Sequence, residues 1–244
     1  MSQPTLEPEK IVVTLERLHQ RIEERFPDAG LGRVCDDLVN TARTTAKRAR
    51  ALGAPFVGVR LGVLALIVAG LIAQIAAARY LHLERLGDDV ANLVQSTEAA
   101  VNLLILFGGA VWFLTTLEER MKRARVLAAL HELRSFAHII DMHQLTKDPT
   151  IVLAPKNKRT QHSPARDMTE FELARYLDYC AEMLSLTGKL AALYAERLRD
   201  PVVVNAVNDV ESLTANLGRK IWQKIMIISQ LDETRGTSAR SPAT

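Results

Sequence analysis

The fold of this chain is decided by two stretches, VGVRLGVLALIVAGLIAQIAAA at residues 57–78 and AAVNLLILFGGAVWFLTTL at residues 99–117. Arg60 is the only charged residue in the first stretch, and the second has none. A helix rises about 1.5 Å per residue, so both stretches are long enough to cross a hydrocarbon core of about 30 Å. Neither shows the polar stripe that is usual in a buried helix of a soluble bundle, which is the alternative. The sequence therefore predicts an all-α protein with a two-span transmembrane helical hairpin.

The distribution of Lys and Arg predicts how this hairpin is oriented. Cations are frequent before the first span and after the second, whereas the segment between the spans has only Arg79 and Arg85 beside four acidic residues. An excess of Lys and Arg marks the cytoplasmic side of a membrane. We therefore expect a multi-pass protein of the cell (inner) membrane with both termini in the cytoplasm.

Some of these cations are also candidates for contact with anionic lipid headgroups, because they would lie within reach of the membrane surface. The candidates are Arg43, Lys47, Arg48, Arg50, Arg120, Lys122 and Arg123. The alternative is that they form a solvated basic end that sets the orientation of the spans and binds nothing.

The remainder of the chain predicts cytoplasmic helices that pack as a bundle. Ile11, Leu15, Leu18 and Ile22 share one helical face, and a second helix is expected from about Leu31 to Leu52. The predicted segments are N-terminal helices at 1–54, the hairpin at 55–118 with its turn near 87, a stalk helix at 119–145, a basic proline-containing linker at 146–167, a C-terminal helical hairpin at 168–231 and a disordered tail at 232–244.

The C-terminal hairpin has clear helix-start signals. Thr169 and Glu172 have the spacing of a capping box, and Asp200 before Pro201 indicates an N-cap followed by proline at the first helical position. Apolar residues in the first of its two helices alternate spacings of four and three, which is typical of a coiled-coil seam. The seam residues are Leu173, Leu177, Cys180, Leu184, Thr187, Ala191, Tyr194 and Leu198.

Small and polar residues within the two spans predict how they pack, because helices in a membrane associate through such residues. Ala65, Ala69, Ala73 and Ala77 repeat every four residues, and Asn102, Gly109 and Thr116 repeat every seven. If the hairpin folds about Gly87, antiparallel partners have numbers that add up to about 174.

This register predicts two polar contacts. Gln74 would lie at the depth of Asn102 as an intramembrane polar pair, and Arg60 would lie near Glu118 at the membrane interface. The functional alternative is that Gln74 and Asn102 line a pore in an oligomer.

The motifs that carry chemistry are weak. His131, His138, Asp141 and His143 form a possible metal or polar cluster, but their spacing does not fit a closed zinc site. Cys35 and Cys180 are far apart in the sequence, and in a reducing compartment they are expected to be small buried apolar residues. No catalytic residue, cofactor or enzymatic activity is predicted, and a net charge of +3 gives no indication of nucleic-acid binding.

These features together favour a membrane-anchored helical scaffold or assembly protein. It would act as a homo-oligomer through contacts between cytoplasmic helices, with the lipid bilayer as a further partner. The alternative is an oligomeric pore or channel-type membrane effector. The layout of cytoplasmic helices around a two-span hairpin resembles that of the bacterial two-span effectors called SLATT proteins. This resemblance is one of layout rather than of motifs, and it implies a membrane pore.

Overall fold

The computed structural model describes residues 5–84, 90–149, 162 and 168–240. Within these ranges, the side chains of residues 77, 78, 80–84, 90–96, 99, 100 and 232–240 lie outside the description. The described residues form α-helices and no strand. The helices are α1 (Pro8–Arg25), α2 (Gly30–Leu52), α3 (Val57–Glu84), α4 (Val90–Leu145), α5 (Glu170–Arg197) and α6 (Pro201–Arg240). The predicted turn near residue 87 and most of the predicted linker at 146–167 lie outside the described residues.

The chain divides into two compact units. The hairpin unit, Ala54–Arg125, contains α3 and the first part of α4, and the bundle unit, Met1–Gly53 with Val126–Thr244, contains the other helices and the rest of α4. This division resembles the predicted one, although the predicted hairpin ended at residue 118 rather than 125.

A single hydrophobic core holds the helices of the bundle unit together. The α1 face predicted from Ile11, Leu15, Leu18 and Ile22 is buried, and so is Leu133 of α4. In α5 every predicted seam residue from Leu173 to Tyr194 is buried, and Leu198 is partly buried against the core. The burial of apolar side chains is therefore the main term that stabilises this unit.

The local signals at the starts of α5 and α6 are confirmed. The Thr169 side chain accepts a hydrogen bond from the Glu172 amide at 3.2 Å, and the Thr169 amide donates to the Glu172 carboxylate at 2.8 Å. Asp200 Oδ1 accepts from the amides of Val202 and Val203. Each cap satisfies amides that the first turn of a helix leaves unpaired.

Helix α6 is longer than the sequence predicted. Its backbone continues to Arg240, whereas a disordered tail was expected from residue 232. The sequence between these positions contains no proline, which would interrupt a helix.

In the hairpin unit, one face of α3 packs against α4. Half-buried positions in α3 recur every three or four residues, and a Cβ atom added at Gly70 would come within 2.8 Å of the Phe107 ring. The half-buried positions are Val59, Val63, Ile67, Gly70 and Gln74 in α3 with Phe56 immediately before it, and those in α4 include Phe107, Val111, Leu114 and Met121. The two helices therefore meet through a seam of mostly apolar residues with a glycine at the close approach.

The remaining surface of the hairpin unit is strongly apolar and exposed. In the part of the chain that the structure describes, two helices are long and apolar enough to cross a membrane. In the first helix, none of the most apolar 18-residue segment is buried in the structure. In the second helix, only 6% of the corresponding segment is buried. Core helices of soluble proteins are mostly buried, so this exposure argues against the soluble-bundle alternative.

We predict that Leu184→Asp destabilises the bundle unit by several kcal/mol, because Leu184 is fully buried and the substitution buries an unpaired charge. Val13→Asp on the exposed side of α1 is the control and should change stability little. Chemical denaturation of the two variants in detergent measures the difference. Equal stability of Leu184→Asp and the parent would show that Leu184 is not a core residue.

Candidate functional site

The carboxylate of Glu118 is the centre of the best-defined polar site in the hairpin unit. It accepts hydrogen bonds from Arg60 Nε at 2.7 Å, from Lys122 Nζ at 2.8 Å and from the Phe56 amide at 3.2 Å. The Glu118 side chain is 11% exposed, whereas that of Arg60 is 64% exposed. A well-shielded carboxylate with three donors holds the beginning of α3 against α4.

Aromatic rings lie beside the cations of this site. The Phe56 ring has Lys122 Nζ at 5.1 Å and the Arg125 guanidinium at 4.8 Å from its centroid. A second ring, that of Phe113 in α4, has the Arg120 guanidinium 5.1 Å from its centroid. These cation–π contacts are each worth roughly 0.5–1 kcal/mol when exposed, so they orient the cations more than they stabilise the fold. We call Phe56, Arg60, Glu118, Lys122 and Arg125 the Glu118 cluster.

The predicted contact between Arg60 and Glu118 is therefore present in the structure, while its place at a membrane interface stays a prediction. Phe56 and Arg125 also belong to this site, although the sequence pattern did not predict them. A signal for Phe56 was present, since an aromatic residue that follows a proline stands immediately before the first apolar stretch.

The structure does not join Gln74 to Asn102. Gln74 is half-buried on the α3 face that meets α4, but the Asn102 side chain is exposed, and the described residues include no hydrogen bond between the two amides. Antiparallel partners at Gly70 and Phe107 have numbers that add up to 177, three more than the predicted register. A helix turns about 100° per residue, so a small error in register moves a side chain to another face.

The candidate headgroup-binding cations of α2 are mostly paired with acids of the bundle unit. Arg43 binds Glu16 at 2.7 Å, and Arg48 binds Glu132 at 3.3 Å. Arg50 pairs with Glu9, while Lys47 is exposed. These arginines thus connect α2 to α1 and α4, although exposed ion pairs contribute only about 0–1 kcal/mol each and can exchange partners. In the hairpin unit, Lys122 and Arg120 make the contacts described above, and Arg123 also has a partner.

The histidines predicted as a metal or polar cluster do not converge. His131 and His138 are exposed, whereas Asp141 accepts a hydrogen bond from Gln144 at 2.5 Å and His143 Nδ1 lies 3.4 Å from Tyr176 Oη. Among the described residues, no group of three or more His, Cys, Asp or Glu side chains is placed to hold a metal ion. The arrangement of Asp141 and His143 is that of a polar network between helices.

A polar contact at the end of α4 was not predicted from the sequence. Lys224 of α6 donates to the main-chain oxygen of Gln144 at 3.0 Å and to its side-chain oxygen at 2.6 Å. A cation at a helix C-terminus meets carbonyls that lack helical partners and the negative end of the helix dipole. Burial lowers the pKa of Lys224, and the nearby Asp148 and Asp141 oppose this shift. No sequence pattern connects positions 80 residues apart, so this contact required the structure.

The two cysteines are buried in the bundle unit and have free thiols. Burial raises the pKa of both Cys35 and Cys180 to about 12. Because the thiolate is the reactive form, both side chains are poor nucleophiles at neutral pH. Their burial agrees with the prediction that they act as small apolar residues.

Comparison of the chain with known protein families, with curated proteins and with solved structures found no match. Function must therefore be inferred from the site and the surfaces of the chain itself.

We predict that Glu118→Gln lowers the midpoint of thermal unfolding in detergent. The amide keeps the size of the side chain but removes the charge that binds Arg60 and Lys122. Glu119→Gln is the matched control, because Glu119 is adjacent and exposed. If both variants unfold at the same temperature as the parent, the Glu118 cluster does not hold the two helices together.

Proposed function

We propose that this chain is an integral membrane scaffold that crosses the inner cell membrane twice and assembles as a homo-oligomer, with the bundle unit in the cytoplasm. The observation that carries the proposal is the exposed apolar surface of the hairpin unit, which includes Leu61, Leu64 and Leu66. Leaving a leucine side chain in water rather than burying it costs about 1.5–3 kcal/mol. Many such side chains on two adjacent helices favour a hydrocarbon environment.

The charges at the ends of these helices support the proposed orientation. Arg60, Lys122 and Arg125 lie together in the Glu118 cluster. This cluster lies where the beginning of α3 meets the end of the apolar part of α4. Clustered cations at the membrane boundary favour the cytoplasmic side. The N- and C-terminal segments of the chain would then share that side, because the chain crosses twice.

Self-association is supported by a small-residue face that the hairpin does not use. Ala65, Ala69 and Ala73 are exposed, about a third of a turn away from the α3 positions that meet α4. Gly58 and Gly62 continue this face, and a Cβ atom added at either would meet nothing within 4 Å. In a bilayer such faces allow two helix backbones to approach closely, so a second copy of α3 is the partner we propose.

The exposed amide of Asn102 favours a second candidate function, an oligomeric pore. A polar side chain that faces away from its own hairpin in hydrocarbon needs either a partner or water. If the chain conducts ions in liposomes, and Asn102→Leu reduces that conductance while the Ala69 variants below do not, the pore would be the preferred function.

We predict that Ala69→Cys forms a disulfide-linked dimer in membranes under mild oxidation. The proposed contact brings the residues at position 69 of two copies close together, and a disulfide requires Cβ atoms about 3.5–4.5 Å apart. Val63→Cys, on the face that meets α4, is the matched control and should remain monomeric. Cys35 and Cys180 provide an unreactive background because both are buried. Non-reducing electrophoresis detects the dimer.

Two results would contradict this interface. Equal cross-linking of the two variants would indicate random collisions, and cross-linking of Val63→Cys alone would assign the contact to the other face. A further check is Ala69→Leu, whose larger side chain would keep two copies of α3 apart and should weaken the oligomer. It should not unfold the protein, because Ala69 is exposed in the hairpin.

A further inference from the structure

The segment that contains the Glu118 cluster has more positive than negative charge. From Glu118 to Arg125, α4 carries four cations and two carboxylates, and Arg60 of α3 adds a fifth cation. By contrast, the arginines at 43, 48 and 50 of the bundle unit each have a carboxylate partner. This end of the hairpin unit therefore has more cations than carboxylates of its own.

The geometry of the cluster leaves donors available on two of its cations. Arg60 contacts Glu118 through Nε, which leaves its terminal amino groups for other acceptors. The Arg125 guanidinium lies over the Phe56 ring and is exposed, and the described residues include no carboxylate within ion-pair distance of it. Lys122 is 12% exposed and is bound to Glu118, so it contributes charge rather than an open donor.

The same residues are held in place by two shared contacts. Glu118 binds Arg60, Lys122 and the Phe56 amide, while the Phe56 ring contacts Lys122 and Arg125. The cations are thus ordered before any ligand arrives, which reduces the entropy lost on binding.

Two exposed aromatic residues lie close to this cluster along the hairpin. Trp112 is 67% exposed and Phe113 is 47% exposed, and both lie one to two turns from Glu118 on the side of the apolar stretch. Tryptophan and other aromatic side chains are common at the boundary between hydrocarbon and headgroups. The cations therefore lie where lipid phosphates would be found.

We propose that Arg60 and Arg125 bind the phosphate of an anionic phospholipid headgroup, with Glu118 and Phe56 positioning them and Lys122 adding charge. The planar guanidinium fork matches phosphate oxygens, and a second guanidinium offers a further set of donors. This inference rests on the proposed placement of the hairpin in a membrane, but it does not require a homo-oligomer.

The test uses the full chain in nanodiscs made of phosphatidylcholine with a minor fraction of phosphatidylglycerol. Native mass spectrometry of the released protein measures which lipid stays bound. We expect phosphatidylglycerol to be enriched over phosphatidylcholine, and Arg125→Gln to reduce that enrichment by about fivefold, as expected for one cation at an anionic surface. Arg125→Lys keeps the charge but loses the planar fork of donors, so it should retain only part of the enrichment.

Arg134→Gln is the matched control, because Arg134 is an exposed cation of α4 within the bundle unit. It should leave the enrichment unchanged. Equal loss in the Gln variants at 125 and 134 would show non-specific attraction and overturn the site. Absence of enrichment in the parent would overturn it as well.

Two further arms separate the source of the phosphate and the dependence on the membrane. If soluble glycerol phosphate displaces the bound lipid at equal phosphate concentration, the site recognises a free anion and the lipid proposal is wrong. A chain that does not enter nanodiscs overturns the membrane placement together with this inference. Lipid enrichment without the cross-linking of Ala69→Cys would support this site while contradicting the homo-oligomer.

Discussion

The hydrogen bonds to the Glu118 carboxylate determine much of what the hairpin unit presents to its surroundings. By binding Arg60 and the Phe56 amide, Glu118 fixes where the beginning of α3 lies along α4. That register places Gly70 against Phe107 and turns Val59, Val63 and the rest of the half-buried α3 positions toward α4. The small-residue face of α3 is then left exposed, and the exposed amide of Asn102 follows from the same register.

The register also explains which parts of the hairpin could be predicted from the sequence. The apolar stretches were evident because a helix of known rise has to cover a hydrocarbon core of known thickness. The pairing of Gln74 with Asn102 depended in addition on the position of the turn, and a shift of three in the sum of partner numbers moved Asn102 out of the contact. The alanine face was expected to meet the glycine face of α4 within one hairpin, but Ala65, Ala69 and Ala73 are exposed and a Cβ atom added at Gly109 would meet nothing within 4 Å.

In the bundle unit, local and periodic patterns were informative whereas long-range contacts were not. The capping box at Thr169 and the cap at Asp200 depend on neighbouring residues, and the α5 seam depends on helical periodicity. By contrast, the partners of Arg48 and Lys224 lie 84 and 80 residues away. The α2 arginines illustrate the consequence, because composition places them beside a membrane surface while the structure shows that three of them connect helices of the bundle.

The proposal that the hairpin crosses the membrane twice, with both chain ends in the cytoplasm, can be tested by labelling. Single cysteines at Ser2, Asp88 and Arg240 can be labelled in intact cells with an impermeant thiol reagent, since Cys35 and Cys180 are buried. We expect labelling at position 88 alone, with positions 2 and 240 reacting only after the cells are opened. Labelling at positions 2 and 240 in intact cells, with position 88 protected, would contradict it.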